Sequence, residues 1–305
     1  MRRPAQMPVQ ANTNREICFP FENSFVCSLN MESIYEHRGT FVFLHGTVSD
    51  AAMWGEIAHL LSDRYRCVAV DFPGFGRSFS MEALKEAEGL GFWDRVRLVC
   101  ELIDQAVAAG NEKIFLIGHE WGGAVAQVVA LERGSQVSGL ILLNSRSLGQ
   151  LSSERVLGFT EFLLKRRLQR LLVASAGLST ESRRAIMAIW QDVFSRKARI
   201  RALCELEKPR PSRSTDQKSE KLTNLLERLS RLECPVLLLW GRNDLDLRRF
   251  ENSEELVRIF PEAVSHFHET AGHWLHLEQP DWVAKMIREF VFSTEQLSDR
   301  KALLR

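Results

Sequence analysis

Five short, continuously apolar runs that end in glycine-bearing turns constrain this chain more than any other feature. Residues 40–44 (T-F-V-F-L) lead into His45-Gly46, residues 67–70 (C-V-A-V) into Asp71-Phe72-Pro73-Gly74, and residues 113–117 (K-I-F-L-I) into Gly118. Residues 139–143 and 236–240 are two more such runs. None alternates apolar with polar positions, as a strand with one wet face would. An unbroken apolar strand belongs in a parallel sheet covered on both sides. Helical stretches separate the runs at 51–61, 92–109 and 124–132, and a last one at 282–292 carries Trp282, Val283, Met286, Ile287 and Phe290. Strands alternating with helices specify an α/β architecture with a mostly parallel central sheet and helices on both faces. Residues 18–35 alternate more weakly and predict an antiparallel hairpin at the sheet edge.

The strand rhythm stops at Arg146 and resumes at Pro235. Between them the apolar residues fall at helical spacing: Phe159, Phe162, Leu163, Leu168, Leu171 and Leu172, then Ile186, Ile189, Trp190, Val193 and Phe194. Pro209, Pro211 and Ser212 to Ser214 break the pattern near its end. This segment also differs in charge. Residues 146–232 hold 19 Lys/Arg against 9 Asp/Glu, a net of +10, so the rest of a chain whose total is +1 carries −9. The chain therefore divides into an N-terminal extension with an edge hairpin (1–38), a sheet-bearing core (39–145 and 233–305) and an inserted helical cap (146–232). The basic cap is either a solvated helix face or a surface that attracts an anionic ligand or an acidic partner.

Composition narrows the classes. With 45% hydrophobic and 26% charged residues the chain reads as an ordinary globular one. No apolar run reaches membrane-spanning length, and Arg2 and Arg3 precede no apolar stretch of the kind a signal peptide needs. Cys18, Cys27, Cys67, Cys100, Cys204 and Cys234 are scattered without metal-ligand spacing, as expected of reduced thiols in a cytoplasmic protein. A net charge of +1 gives no reason to expect nucleic acid.

The chemistry centres on Ile117-Gly118-His119-Glu120-Trp121-Gly122-Gly123, placed between a buried strand and an Ala/Val-rich helix. A sharp strand-to-helix turn needs glycine two positions either side of its apex, where a side chain would strike the adjoining backbone. Gly118 and Gly122 stand there, and Glu120 is the apex. This is the nucleophile-elbow pattern. On it the chain resembles the α/β-hydrolases, and within them the haloalkane dehalogenases and epoxide hydrolases, which carry an aspartate at the apex followed by Trp-Gly-Gly. Four further motifs fall in the family's order. Phe43-Leu44-His45-Gly46-Thr47 resembles the strand end that supplies an oxyanion-hole N–H. Asp71-Phe72-Pro73-Gly74-Phe75-Gly76-Arg77-Ser78 resembles the family's D-x-P-G-x-G-x-S turn. Leu239-Trp240-Gly241-Arg242-Asn243-Asp244 resembles the strand end that carries the triad acid. Ala271-Gly272-His273 resembles the loop of the catalytic histidine.

The resemblance implies the α/β-hydrolase fold and a triad of Glu120, Asp244 and His273, with Asp246 as the fallback acid. It implies an anion or halide site built from Thr47 and Trp121, with His45 and Trp190 facing the substrate. His266, His268 and His276 are alternatives to His273, which its preceding Ala-Gly favours. No metal and no organic cofactor is implied; the partner is a small, largely apolar substrate held between cap and sheet.

Glu120 departs from the family pattern. Glutamate keeps the charge but lengthens the arm by one C–C bond, about 1.5 Å, and a misplacement of about 1 Å costs on the order of a hundredfold in rate. Serine-esterase chemistry is excluded at this apex. Epoxide opening of the kind that uses two cap tyrosines is disfavoured, because the two tyrosines, Tyr35 and Tyr65, both precede the elbow. Three activities stay open: dehalogenase-like hydrolysis with Glu120 as nucleophile or base, a biosynthetic lactone-opening or cyclising reaction, and non-catalytic ligand binding. A Glu120 side chain turned away from His273, or tied up in a permanent ion pair with an arginine of the cap, would undo the catalytic proposal.

Overall fold

The structure, a computed structural model, describes residues 14–21, 24–31, 37–47, 49–78, 91–108, 110, 113–149, 161–195, 218–246 and 249–303. Eight strands form one sheet in the order β1-β2-β4-β3-β5-β6-β7-β8. The chain runs β1 (Asn14–Phe21), β2 (Ser24–Met31), β3 (Thr40–Leu44), α1 (Gly55–Leu61), β4 (Arg66–Val70), α2 (Phe92–Ala108), β5 (Ile114–His119), α3 (Trp121–Glu132) and β6 (Val137–Leu143). Among the described residues three helices follow, α4 (Glu161–Ala174), α5 (Thr180–Ser195) and α6 (Lys218–Leu229). Then come β7 (Val236–Gly241), α7 (Arg249–Ile259), β8 (Val264–His268), α8 (Leu275–Glu278) and α9 (Pro280–Leu303). The six strands β3 to β8 pair in parallel, and β1 and β2 join the β4 edge as an antiparallel hairpin.

Strand periodicity explains why the central strands are apolar throughout. Phe41 and Phe43 point to one face, with Phe115, Ile117, Leu237 and Leu239, and pack on α1 and α9 through Ile57, Leu61, Val283 and Ile287. Val42 and Leu44 point to the other face, with Leu116 and Leu238, and pack on α2 and α3 through Leu98, Val99, Val125 and Val128. Every second side chain meets a different helical layer, so the middle positions of these strands are apolar on both faces. The last parallel strand, β8, breaks the rule. At the sheet edge Val264 and Phe267 remain exposed, and its V-S-H-F-H sequence, with apolar residues three positions apart, carries no strong strand signal.

Between β6 and β7 the described residues are helical, at α4, α5 and α6. Phe159, Cys204 and the proline-bearing stretch 209–214 lie outside the described residues, as does Tyr35. Arg183 of α5 ties two of the helices together, donating to the Leu172 carbonyl (2.9 Å) and the Ser175 carbonyl (2.7 Å). Among the described residues no helix is long and apolar enough to cross a membrane.

Candidate active site

The site gathers at the C-terminal ends of β3, β5, β6 and β7, where parallel strands of an open α/β sheet place their loops. Its centre is the turn from β5 into α3. Glu120 takes φ 52° and ψ −115°, a conformation that non-glycine residues rarely adopt. A Cβ at Gly118 would stand 2.5 Å from the Gly123 Cα, and one at Gly122 would stand 2.2 Å from the Leu44 carbonyl oxygen. The two flanking glycines are therefore what lets β5 turn into α3 so sharply, and the turn lifts Glu120 into the site.

The longer glutamate arm is accommodated by a third glycine. A Cβ on Gly46 would come within 2.6 Å of Glu120 Oε2. With none there, Oε2 reaches past to accept a hydrogen bond from the Thr47 N–H at 2.6 Å. The backbone donor expected of the oxyanion hole is thus occupied by the elbow carboxylate itself.

Asp244 at the end of β7 meets His273, whose Nδ1 lies 3.2 and 3.1 Å from the two carboxylate oxygens. Asn144 Nδ2 donates to Asp244 Oδ2 (2.7 Å) and the Asp246 N–H to Oδ1 (2.7 Å), which fixes the carboxylate plane. The histidine loop is anchored from two sides: the Gly272 N–H donates to both oxygens of Glu278 (3.0 and 2.9 Å), and the His273 N–H donates to Ser175 Oγ (3.2 Å). A ring nitrogen of His273, an oxygen of Glu120 and an oxygen of Asp246 lie within 4.8 Å of one another.

Two arginines complete the cluster. Arg167 of α4 donates through its Nε to Asp246 Oδ1 (2.8 Å), and its Nη2 serves both Asp246 Oδ2 (2.9 Å) and Glu120 Oε1 (2.5 Å). Arg146, just beyond β6, donates to the same Glu120 oxygen at 3.3 Å and lies over the Trp121 ring. Glu120 is thus paired with an arginine of the inserted segment while remaining close to His273, so a catalytic role for it requires that this ion pair open when substrate binds. Asp246 does not replace Asp244 beside His273 Nδ1; it is the second counter-ion of Arg167. Glu120, Asp246 and His273 lie close enough to share a cation, but Arg146 and Arg167 already bring two positive charges to the carboxylates.

These neighbours set the charge states. Burial would raise Glu120 and Asp246, but Arg167 and then Arg146 outweigh it and hold both well below the usual carboxylate range. Burial pulls His273 down, yet Asp244, Asp246 and Glu120 together push it up to about 9. His273 is therefore an imidazolium at neutral pH.

The remaining expected residues fall differently. His45 gives neither ring nitrogen to a substrate: Nδ1 bonds the Gly46 carbonyl (2.7 Å) and Nε2 accepts from the Phe72 N–H (3.0 Å). Burial lowers its pKa to about 3, so it is a neutral brace between two loops. Trp190 is buried and packs against Phe194, with ring centroids 5.3 Å apart. Its helix neighbours Ile189 and Asp192 instead line a cavity of about 180 Å³, together with Asp50, Asp71 and Arg77. Trp121 is buried with its indole N–H unpartnered among the described residues, as a donor awaiting an acceptor would be. His119 was passed over in the sequence; its Nε2 donates to the His273 carbonyl (2.9 Å) and braces the histidine loop, and burial keeps it neutral at about 4. His276 is likewise buried and stacks on Trp54.

Residues 41–286 match the Alpha/beta hydrolase family. The chain belongs to that family. It is similar to haloalkane dehalogenase 2 of Mycobacterium tuberculosis, 28% identical over 89% of this chain and 95% of the relative. It is also similar to epoxide hydrolase 3 of Xenopus tropicalis, 26% identical over 82% of this chain and 70% of the relative. Among solved structures, the 2-hydroxy-6-oxo-6-phenylhexa-2,4-dienoate hydrolase of Rhodococcus sp. RHA1 shares the fold. Its TM-score is 0.69 at 21% identity, over 92% of this chain and 99% of that one.

Proposed function

We propose that this α/β-hydrolase-fold chain is a hydrolase of small molecules that works with a carboxylate at its elbow, in the manner of a haloalkane dehalogenase. Glu120 is the nucleophile or base, and His273 with Asp244 the proton-handling pair. One observation carries the reading: the elbow brings Glu120 to a histidine whose other side is already paired with a carboxylate. A fold that had only kept its shape gains nothing by burying these groups together, since each is costly to hold away from water.

In the covalent route a Glu120 oxygen attacks an sp³ carbon, the leaving group departs with the bonding electrons, and an ester forms. Water then attacks the ester carbonyl while His273 takes its proton and Asp244 stabilises the imidazolium; the tetrahedral intermediate collapses with cleavage of the acyl C–O bond, the proton passes to the departing alkoxide, and the Glu120 carboxylate is restored. The electrostatics order these steps. Glu120 is one of the charges holding the proton on His273, and esterification removes that charge, so His273 moves toward its basic form when a base is needed. The Thr47 N–H stands ready for the oxyanion of the second step.

A second reading rests on the protonated state of His273. An imidazolium beside an anionic carboxylate is an acid–base pair suited to opening a lactone or assisting a cyclisation, with His273 donating to the leaving oxygen. Turnover of a panel of haloalkanes, lactones and aryl esters in ¹⁸O water separates the two. Label in the Glu120 side chain supports the ester route, and label confined to product supports the acid–base route. Unchanged activity in Glu120→Gln defeats both, and no turnover of any panel member favours a ligand-binding protein.

A further inference from the structure

We infer that Arg146 and Arg167 form a recognition site for a carboxylate group on the substrate, and that the carboxylate of Glu120 fills that site in this structure. The inference rests on the reading of Glu120 as the reacting carboxylate and adds the class of molecule on which it acts. Two guanidinium groups from separate elements converge on one oxygen of Glu120, at 2.5 and 3.3 Å, and the Thr47 N–H takes the other at 2.6 Å. Two cations and a backbone donor aimed at the two oxygens of one planar anion make a carboxylate receptor. It is buried, with the Arg146 side chain 4% and the Arg167 side chain 11% exposed.

Such a receptor has no use in holding a nucleophile. Each donor placed on Glu120 withdraws electron density from the oxygens that must attack, and Arg167 Nη2 covers one of them outright. Its use is to bind a second anion. A carboxylate on the substrate that accepts from Arg146 and Arg167 competes directly with Glu120 Oε1. Asp246 keeps its own bonds to the Arg167 Nε and Nη2, so the guanidinium stays anchored to the loop after β7 while its contact with Glu120 is exchanged. The ligand thereby uncovers the carboxylate that is to react with it. Molecules without the anion leave Glu120 covered, which makes the arginine pair a filter as well as a grip.

The experiment is calorimetric binding of benzoate and of its neutral counterpart benzamide to the full chain and to four variants. The wild-type protein is expected to bind benzoate at least tenfold more tightly than benzamide. Arg167→Met and Arg146→Met are expected to remove that preference, with Arg167→Lys keeping part of it. Glu120→Gln is expected to strengthen benzoate binding by tenfold or more, because it deletes the internal competitor. A merely structural role for the arginines does not produce that gain. Equal binding of the two probes, a preference that survives both methionine variants, or a Glu120→Gln protein no tighter than wild type overturns the inference. These outcomes are independent of turnover: a protein that prefers benzoate but turns over nothing retains the anion site and loses the hydrolase reading.

Discussion

Replacing Arg167 by methionine tests the charge cluster most directly. The side chain keeps most of its length and apolar stem but loses the guanidinium that bonds Asp246 twice and Glu120 once. Glu120 and Asp246 expose 2% and 9% of their side chains, so water does not replace what is lost. Breaking one partner out of a buried ion pair costs about 3–5 kcal/mol when the remaining charge is left uncompensated, an upper figure here because Arg146 still stands 3.3 Å from Glu120 and 3.8 Å from Asp246. For a chain of this length that corresponds to a fall in Tm of roughly 5–8 °C.

The loss has a pH signature. In the wild type both carboxylates lie below their unfolded values, so their contribution is present above the ordinary carboxylate range and disappears as pH falls through the lowered folded values. Without Arg167 burial is less opposed, both groups move up, and protonation relieves them. The deficit of Arg167→Met should therefore be largest at pH 7 and shrink by pH 5. Urea unfolding followed by circular dichroism at the two pH values reads this out. Adding Asp246→Asn to Arg167→Met should return part of the stability. A variant as stable as wild type at pH 7, or a deficit that does not change with pH, would refute the account.

Other consequences are equally open to measurement. His273 should titrate near 9 by NMR of its ring nitrogens; because that lies above its unfolded value, its share of stability is complete below about pH 6.5 and is lost as pH rises through 9. Asp244→Asn should bring the titration down and flatten that alkaline loss, and an unmoved His273 contradicts the assignment of cause. Gly122→Ala should cost more than about 3 kcal/mol or abolish soluble expression, since its methyl would stand 2.2 Å from the Leu44 carbonyl oxygen; a Gly122→Ala protein with native Tm is the adverse result. Glu120→Asp retracts the carboxylate by about 1.5 Å, out of reach of either Arg167 or the Thr47 N–H. It should lower the Tm less than Arg167→Met does and speed bromide release from 1-bromobutane, and a slower variant counts against masking by the arginine.

Much of the fold was legible because its signals are local. Apolar runs reported strands whose alternate side chains meet different helical layers, and Gly118 and Gly122 reported a bend in which neighbouring backbone leaves no space. The hairpin preceding β3 followed from weak alternation alone. The strand β8 was missed because an edge position with exposed Val264 and Phe267 imposes no apolar pattern. The arginines were missed for different reasons. Arg146 was counted with the basic segment, although it stands at a strand end where site residues collect. Arg167 did leave a trace: it falls four residues after Leu163 and four before Leu171, on the apolar phase of α4, where a cation needs a buried partner. Nearness in a motif or a helix does not say what a side chain bonds, so the bracing bonds of His45 and the packing of Trp190 on Phe194 came only from the structure.

The amino-acid order alone determined the kind of fold, the apex of the elbow and the type of acid it carries. Each is written in residues a few positions apart, as the apolar runs and the Gly-x-Glu-x-Gly spacing are, even where the clash that demands Gly122 comes from the Leu44 carbonyl of another strand. Only the tertiary structure decided what that acid does at rest. Its counter-ions come from 26 and 47 residues away. Whether a buried charge is bare, paired or proton-sharing depends on distances of a few ångströms between elements that meet only when the sheet, the inserted helices and the histidine loop close together.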